Sequence, residues 1–479
     1  MASSKNKIKV LFASPEVMPF ASTGGLGEVA GSLPKALVND KDSGIDCRVI
    51  APLYEKVPAD VRKKMKFLGH IDVPVAWRNQ YMGIFELKQD GTIYYFVDNE
   101  YYFKRRELYG HYDDGERFAY FSRAVLESSK VTGFQPDVIH ANDWQTALAP
   151  VYRNTIYKHD GVKTVFTVHN IEYQGKYGLS ANKDFIGLPK KDAYVIEYGD
   201  AVNLMKGAID SCDKFTTVSE TYARELAYPE SAFGLHEVIR ANQHKMIGIL
   251  NGIDTDAYDP SKDAYLNTHF SSKDLRGKFR AKQALQKMLA LPKKNVPLIT
   301  MVSRLVAPKG ADLLMGMLEN VIANNDVQFV MLGTGDMKYE EFFRGLEAAH
   351  RDKVRSIIDF NTGVAHKIYA AGDILLMPSR SEPCGLAQMI GCRYGDIPIV
   401  RQTGGLADSI HEWNGKEGEG FTFYDFTPQE LERAVYRALA LKADDRAWKK
   451  LVRNAMNTDF SWSRSAKEYS KMYHELMGR

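Results

Sequence analysis

The chain is short of the features that mark specialised classes of protein. Four cysteines, Cys47, Cys212, Cys384 and Cys392, are scattered over 479 residues with no CxxC pair. They are too few for a disulfide framework, so reduced thiols and a cytoplasmic setting are expected. Charge of one sign is also missing. The 63 Lys and Arg nearly cancel 60 Asp and Glu, leaving +3, which gives no support for a nucleic-acid-binding surface. No apolar run approaches the roughly twenty residues that cross a bilayer, and Met1-Ala-Ser-Ser-Lys-Asn-Lys-Ile-Lys leads into a strand without a signal-peptide core. Paired His/Asp ligands and HExxH are absent, so no metal and no other cofactor is expected. Neither GxGxxG nor GxxxxGK[ST] occurs, which weakens nicotinamide and NTPase readings.

What is present is a soluble α/β pattern. A hydrophobic content of 44% with 26% charged residues is that of a globular protein, and the length calls for more than one core. Short apolar runs, each followed by turn residues and a helical pattern, recur at Ile8–Phe12, Cys47–Ala51, Val138–His140, Lys163–Val168, Lys214–Val218 and Met246–Leu250. They return at Pro297–Val302, Gln328–Leu332, Ile374–Pro378 and Ile397–Arg401. Runs of this kind predict doubly wound parallel sheets covered on both faces. His70–Asp98 differs: its alternating segments predict an antiparallel meander appended to the first sheet. The Pro/Asp/Ser/Lys-rich stretch Asp259–Lys273 is the linker candidate. It suggests a first domain over 1–250, a second over 251–455, and a last helix within 456–479 packing back on the first.

Two glycine turns lie where such folds hold ligands. Ser22-Thr23-Gly24-Gly25 joins the first strand to a helix rich in Ala, Val and Leu, and its amides can point at phosphate or a sugar hydroxyl. A turn that merely closes a strand–helix joint is the plainer alternative. Ser379-Arg380-Ser381-Glu382-Pro383-Cys384-Gly385-Leu386 places one carboxylate at a strand end before another helix. Having one turn in each half suggests a ligand gripped in a cleft between two domains. Arg304 and Lys309, five apart on a Pro/Gly loop, can reach one diphosphate from two directions, or form a solvated surface pair. Gly333-Thr334-Gly335 and Thr403-Gly404-Gly405 are further glycine turns directly after strands. Glu382 can accept from sugar hydroxyls or bridge to Arg380 at the surface. His140 and His169 end strands; each reads as a cleft-facing imidazole or as a core residue. Cys384 beside Glu382 reads most simply as a small buried side chain. Tyr94, Tyr95, Tyr101, Tyr102 and Phe103 are sugar-stacking candidates or core.

STGGLGEVAGSLPKAL, HANDWQTAL, TVHN, LNGID, SRLVAPKG, SRSEPCGLAQM and VRQTGGLADS, in that order across residues 22 to 409, resemble the bacterial glycogen synthase and starch synthase family. The resemblance implies a GT-B fold, two Rossmann-like domains facing across a deep cleft. It also implies retaining transfer of glucose from ADP-glucose to the non-reducing end of an α-1,4-glucan. The first domain would take the acceptor and the second the nucleotide sugar. By the same resemblance Arg304 and Lys309 would neutralise the leaving diphosphate and Glu382 would bind the glucose. His169 would sit beside the transferred sugar and donate to its 6-hydroxyl. Ser22, Gly24, Gly25, Asn251, Gly335, Cys384, Gly385, Leu386, Thr403, Gly404 and Gly405 would line the donor. Phe360 would stack on the base, with Asp143 and Trp144 on the acceptor side.

One departure stands out. The family's glycine turn begins Lys-x-Gly-Gly, and here the lysine position is Ser22. A slower enzyme, or one with an altered donor or acceptor, is expected from that loss. Where some relatives carry a second carboxylate after Glu382 this chain has Ile390; glycogen synthases of the bacterial type also lack that carboxylate. The competing readings are a UDP-glucose-using or small-acceptor retaining glycosyltransferase and a non-catalytic glucan-binding scaffold. A pyridoxal-phosphate phosphorylase is disfavoured because its lysine motif is missing.

Overall fold

The computed structural model describes residues 7–158 and 161–478. The chain forms two compact units. One runs from the N-terminus to Asn251 and takes in the stretch from Trp462 onward; the other is Gly252–Ser461.

The strands of the first unit are β1 (Ile8–Ala13), β2 (Ile45–Pro52), β3 (Lys66–Val75), β4 (Arg78–Gln89), β5 (Thr92–Asp98), β6 (Val138–Asn142), β7 (Lys163–Val168), β8 (Lys176–Tyr177), β9 (Glu197–Tyr198), β10 (Ala201–Asn203), β11 (Lys214–Thr217) and β12 (Met246–Gly248). Nine of them form one sheet in the order β12-β11-β7-β6-β1-β2-β5-β4-β3. From β12 to β5 neighbours run parallel. The meander expected over His70–Asp98 is there: β4 pairs antiparallel with β5 and with β3 at the sheet edge. The central strands β1 and β6 are almost wholly buried, because helices cover both faces of a parallel sheet. β8, β10 and β9 make a small separate sheet. The last helix, Trp462–Leu476, lays Trp462, Ala466, Tyr469 and Tyr473 inward. It packs along the helix Gly25–Asn39, and Ser470 Oγ donates to the Ser43 carbonyl at 2.9 Å.

In the second unit β13 (Leu298–Val302), β14 (Gln328–Leu332), β15 (Val354–Ile357), β16 (Ile374–Met377), β17 (Ile397–Arg401) and β18 (Phe421–Phe423) form an all-parallel sheet, order β15-β14-β13-β16-β17-β18.

Each sheet reverses its winding beside its first strand. In the first unit β2 lies on one side of β1 and β6 on the other; in the second, β14 and β16 flank β13 in the same way. The loops leaving the two strands at such a reversal diverge and open a crevice at the carboxyl ends, where ligands of doubly wound sheets bind. Those loops carry the candidate residues.

Candidate active site

In the second unit the crevice lies between the loops after β13 and β16. Gly310 ends the turn Ala307–Lys309 with φ 78°, and a Cβ there would sit 2.0 Å from the Pro378 carbonyl. At these points the two loops touch backbone to backbone, and Arg380 N donates to Pro308 O at 2.8 Å. That contact brings Lys309 to Glu382: Nζ and Oε2 are 2.5 Å apart. Glu382 is 5% exposed, and its Oε2 also accepts from Ser379 Oγ at 3.0 Å. The surface bridge to Arg380 is not formed; the Arg380 guanidinium instead lies over the Phe426 ring, 4.2 Å from its centre. Arg304 is exposed, and its guanidinium has no protein partner among the described residues. This crevice thus holds one uncommitted cation and one cation sharing a buried carboxylate.

The remaining glycines of this unit brace the loops. A Cβ at Gly335 would meet the Leu305 carbonyl at 2.0 Å, one at Gly404 (φ 44°) the Glu382 carbonyl at 2.1 Å, and one at Gly405 the Cys384 carbonyl at 2.2 Å. Gly405 N donates to Glu382 O at 3.0 Å, which seats the Glu382–Leu386 turn under the N-terminus of the helix Gly404–Ser409. Gly385, at φ 73°, makes the bend. Thr403 and Cys384 are buried, Leu386 half-buried. Phe360 follows β15 with its ring 89% exposed.

In the first unit the crevice lies between the loops after β1 and β6, with β7 beside it. Glu16, 5% exposed, accepts from Thr23 N at 2.5 Å and from Thr23 Oγ1 at 3.2 Å, and so shapes the glycine turn. Gly24 and Gly25 differ from the bracing glycines: a Cβ at either would meet nothing within 4 Å. Their missing side chains leave open space above the start of the helix Gly25–Asn39. Ser22 is half-buried and its Oγ donates to the Gly24 carbonyl at 3.2 Å. Burial pushes the Glu16 carboxyl up, opposed by the hydrogen bonds from Thr23, and Glu16 forms no ion pair among the described residues.

Asp143 holds φ 54°, ψ 178°, a backbone region that side chains rarely tolerate. Its amide donates to Thr167 O at 2.9 Å, and its Oδ1 accepts from His169 N at 2.7 Å. Burial drives the Asp143 carboxyl up to about 7, against the pull of the His169 and Asn170 amides. The His169 ring, half-buried, is held neutral, its pKa lowered by burial to about 3. Trp144 opens the helical turn after β6 and meets Phe118 and Tyr177 edgewise and tilted. Asn251 is buried, and its Oδ1 has no partner among the described residues.

His140 does not face a crevice. It lies within β6, fully buried, hydrogen-bonded to Tyr473 Oη and Thr167 Oγ1, each at 2.6 Å; burial lowers its pKa to about 3. Of the aromatic cluster, Tyr94, Tyr95, Tyr102 and Phe103 are core, and only Tyr101 is exposed. Sequence reasoning passed over Glu16 and Asn142. Asn142 stood inside the quoted HANDWQTAL, but an amide between two more reactive-looking residues gives no chemical signal of its own.

A starch synthase catalytic domain model matches residues 9–241, and a glycosyl transferases group 1 model matches residues 285–455. The chain is 46% identical to the glycogen synthase of Geobacillus thermodenitrificans, over 98% of each chain. It is 42% identical to that of Bacillus subtilis, also over 98% of each. Among solved structures it is similar to the catalytic domain of starch synthase IV from Arabidopsis thaliana bound to ADP and acarbose, with 35% identity, TM-score 0.89, and 99% and 100% of the two chains covered. Sucrose-phosphate synthase from Thermosynechococcus elongatus, at 16% identity and TM-score 0.61, shares the fold.

Proposed function

We propose that this chain, which belongs to the glycogen synthase family and is a hexosyltransferase with the two Rossmann-like units of the GT-B class, uses ADP-glucose as donor and extends the non-reducing end of an α-1,4-glucan with retention. The observation that carries the donor site is the closure of the β13 and β16 loops of the second unit. It joins Lys309, on the same loop as the exposed Arg304, to the buried Glu382. A diphosphate gathers negative charge as its bond to the sugar breaks, and the two cations of this loop, Lys309 and Arg304, stabilise that charge. Glu382, already an acceptor, takes hydrogen bonds from glucose hydroxyls. Phe360, exposed beyond β15, offers a ring for the base, and Asn251, whose Oδ1 has no partner among the described residues, a polar contact for the donor.

On the first unit Gly24 and Gly25 present amides over open space to phosphate and sugar oxygens. His169 lies at the transferred glucose, and Asp143 with Trp144 at the acceptor. The C1–O bond to the diphosphate breaks and a C1–O4 bond to the acceptor forms on the same face. The acceptor hydroxyl proton passes to a leaving phosphate oxygen, so no side-chain nucleophile is needed. The rate then rests on positioning and charge stabilisation.

Incorporation of labelled glucose into glycogen, measured in parallel from ADP-glucose and UDP-glucose, tests this reading. Incorporation from ADP-glucose is the expected result. Preference for UDP-glucose would overturn the donor, and incorporation from neither would overturn the polymer acceptor.

A further inference from the structure

Asn142 closes β6 and is fully buried. Its Nδ2 lies 3.0 Å from the Ala13 carbonyl at the end of β1 and 3.3 Å from the His140 carbonyl. Carbonyls only accept, so both bonds require the amide NH2 at that end and the oxygen at the other. The reverse orientation would set Oδ1 against two carbonyl oxygens and lose both bonds. The Oδ1 so oriented is 3.0 Å from His169 Nε2. An amide oxygen has no proton to give, so Nε2 must carry one. The ring is neutral, which leaves Nδ1 a bare lone pair, and Nδ1 has no partner among the described residues. The His169 backbone amide is fixed independently by Asp143 Oδ1.

We propose that Asn142 is a positioning residue that locks His169 in its Nε2–H tautomer, so that the ring meets the transferred sugar as a hydrogen-bond acceptor and requires a hydroxyl that donates. This rests on the preceding assignment of His169 to the donor sugar, and it reverses the sense of the contact expected from family resemblance, in which the imidazole donates to the 6-hydroxyl. The carboxyl ends of β1, β6 and β7 are tied through one amide, and the polarity of the sugar contact follows from it. A hydroxyl at the sugar's contact position is recognised by its proton, so fluorine there, which accepts but cannot donate, is no better than hydrogen.

Two measurements test this. The first uses the substrate-free protein with 15N-labelled histidine, the His169 resonances being identified by their loss in His169→Gln. Nitrogen shifts near neutral pH should show a protonated Nε2 and a bare Nδ1. Asn142→Asp, which still accepts from Nε2–H, should keep that tautomer, and Asn142→Leu should release it. A protonated Nδ1 in the parent protein, or an unchanged tautomer in Asn142→Leu, would overturn the lock. The second measurement compares ADP-glucose with its 6-deoxy and 6-deoxy-6-fluoro analogues. Both analogues should lose kcat/KM equally, by at least about tenfold. A fluoro analogue about tenfold better than the deoxy one would mean the ring donates. If ADP-glucose itself is not used, the preceding reading fails and the sugar contact with it, while the nitrogen shifts still decide the tautomer.

Discussion

At position 22 a hydroxyl stands beside a buried carboxylate. Glu16 shapes the glycine turn through Thr23, yet it has no ion-pair partner among the described residues, and burial raises its pKa. A lysine at position 22 would supply that cation and one charge-assisted hydrogen bond to the donor or acceptor. A bond of that kind is worth about 1.5–3 kcal/mol, or roughly ten- to a hundred-and-fifty-fold in rate if made in the transition state. Ser22→Lys is therefore expected to raise turnover with ADP-glucose by about tenfold or more; no gain with any nucleotide glucose would remove the missing lysine as an explanation of slow turnover. Asp143 makes a separate claim. Its pKa is raised in the folded chain to about 7, so between about pH 4 and 7 the folded state holds a proton that the unfolded state has released. Stability from this group is full below the unfolded pKa and declines as pH rises through 7. Asp143→Asn should flatten that decline. Relative to the parent, the variant should gain about 2 kcal/mol between pH 4.5 and 8, half of what the full shift implies because the group is partly solvated. Denaturant midpoints at the two pH values check it, and parallel curves for the two proteins would contradict it.

Among the elements, two kinds of glycine turn separate ligand approach from packing. Gly24→Ala and Gly25→Ala add a methyl into open space. Each should leave stability within about 0.5 kcal/mol while lowering activity. Gly405→Ala drives a methyl onto the Cys384 carbonyl, at 2.2 Å. It should cost at least about 2 kcal/mol and lower activity as well. Thermal melts run beside the activity assay distinguish the cases; loss of stability in Gly24→Ala would mean that this turn is only a joint. The same contrast marks what the sequence made legible. Continuous apolar strands flanked by turns, such as Lys163–Val168 and Gln328–Leu332, were readable to the residue because they are buried on both faces. The strands β15 and β18 were not. Val-Arg-Ser-Ile and Phe-Thr-Phe are short edge strands whose pairing comes from neighbours rather than from their own pattern. His140 is ambiguous in the sequence because a strand's last residues alternate in direction, and only the partners Tyr473 and Thr167 show which way the ring turns. That glycines 335, 404 and 405 brace carbonyls could not be read from a linear motif, since the opposing backbone is distant in sequence.

For the whole molecule, transfer depends on charge placed at a diphosphate. Arg304 is exposed and unpartnered among the described residues, so Arg304→Ala should leave the melting temperature unchanged and reduce kcat by roughly ten- to a hundred-and-fifty-fold. Lys309→Met should lose activity on the same scale and also lower stability by about 1–3 kcal/mol, because it strands the buried Glu382 carboxylate. Equal melting temperatures for both variants would contradict the pairing. The most direct measurement is proton NMR of the protein with ADP-glucose and maltotriose. The expected result is growth of new α-1,4 anomeric signals in step with release of ADP. New β-anomeric signals, or release of ADP with free glucose and no longer chain, would contradict retaining transfer to a glucan.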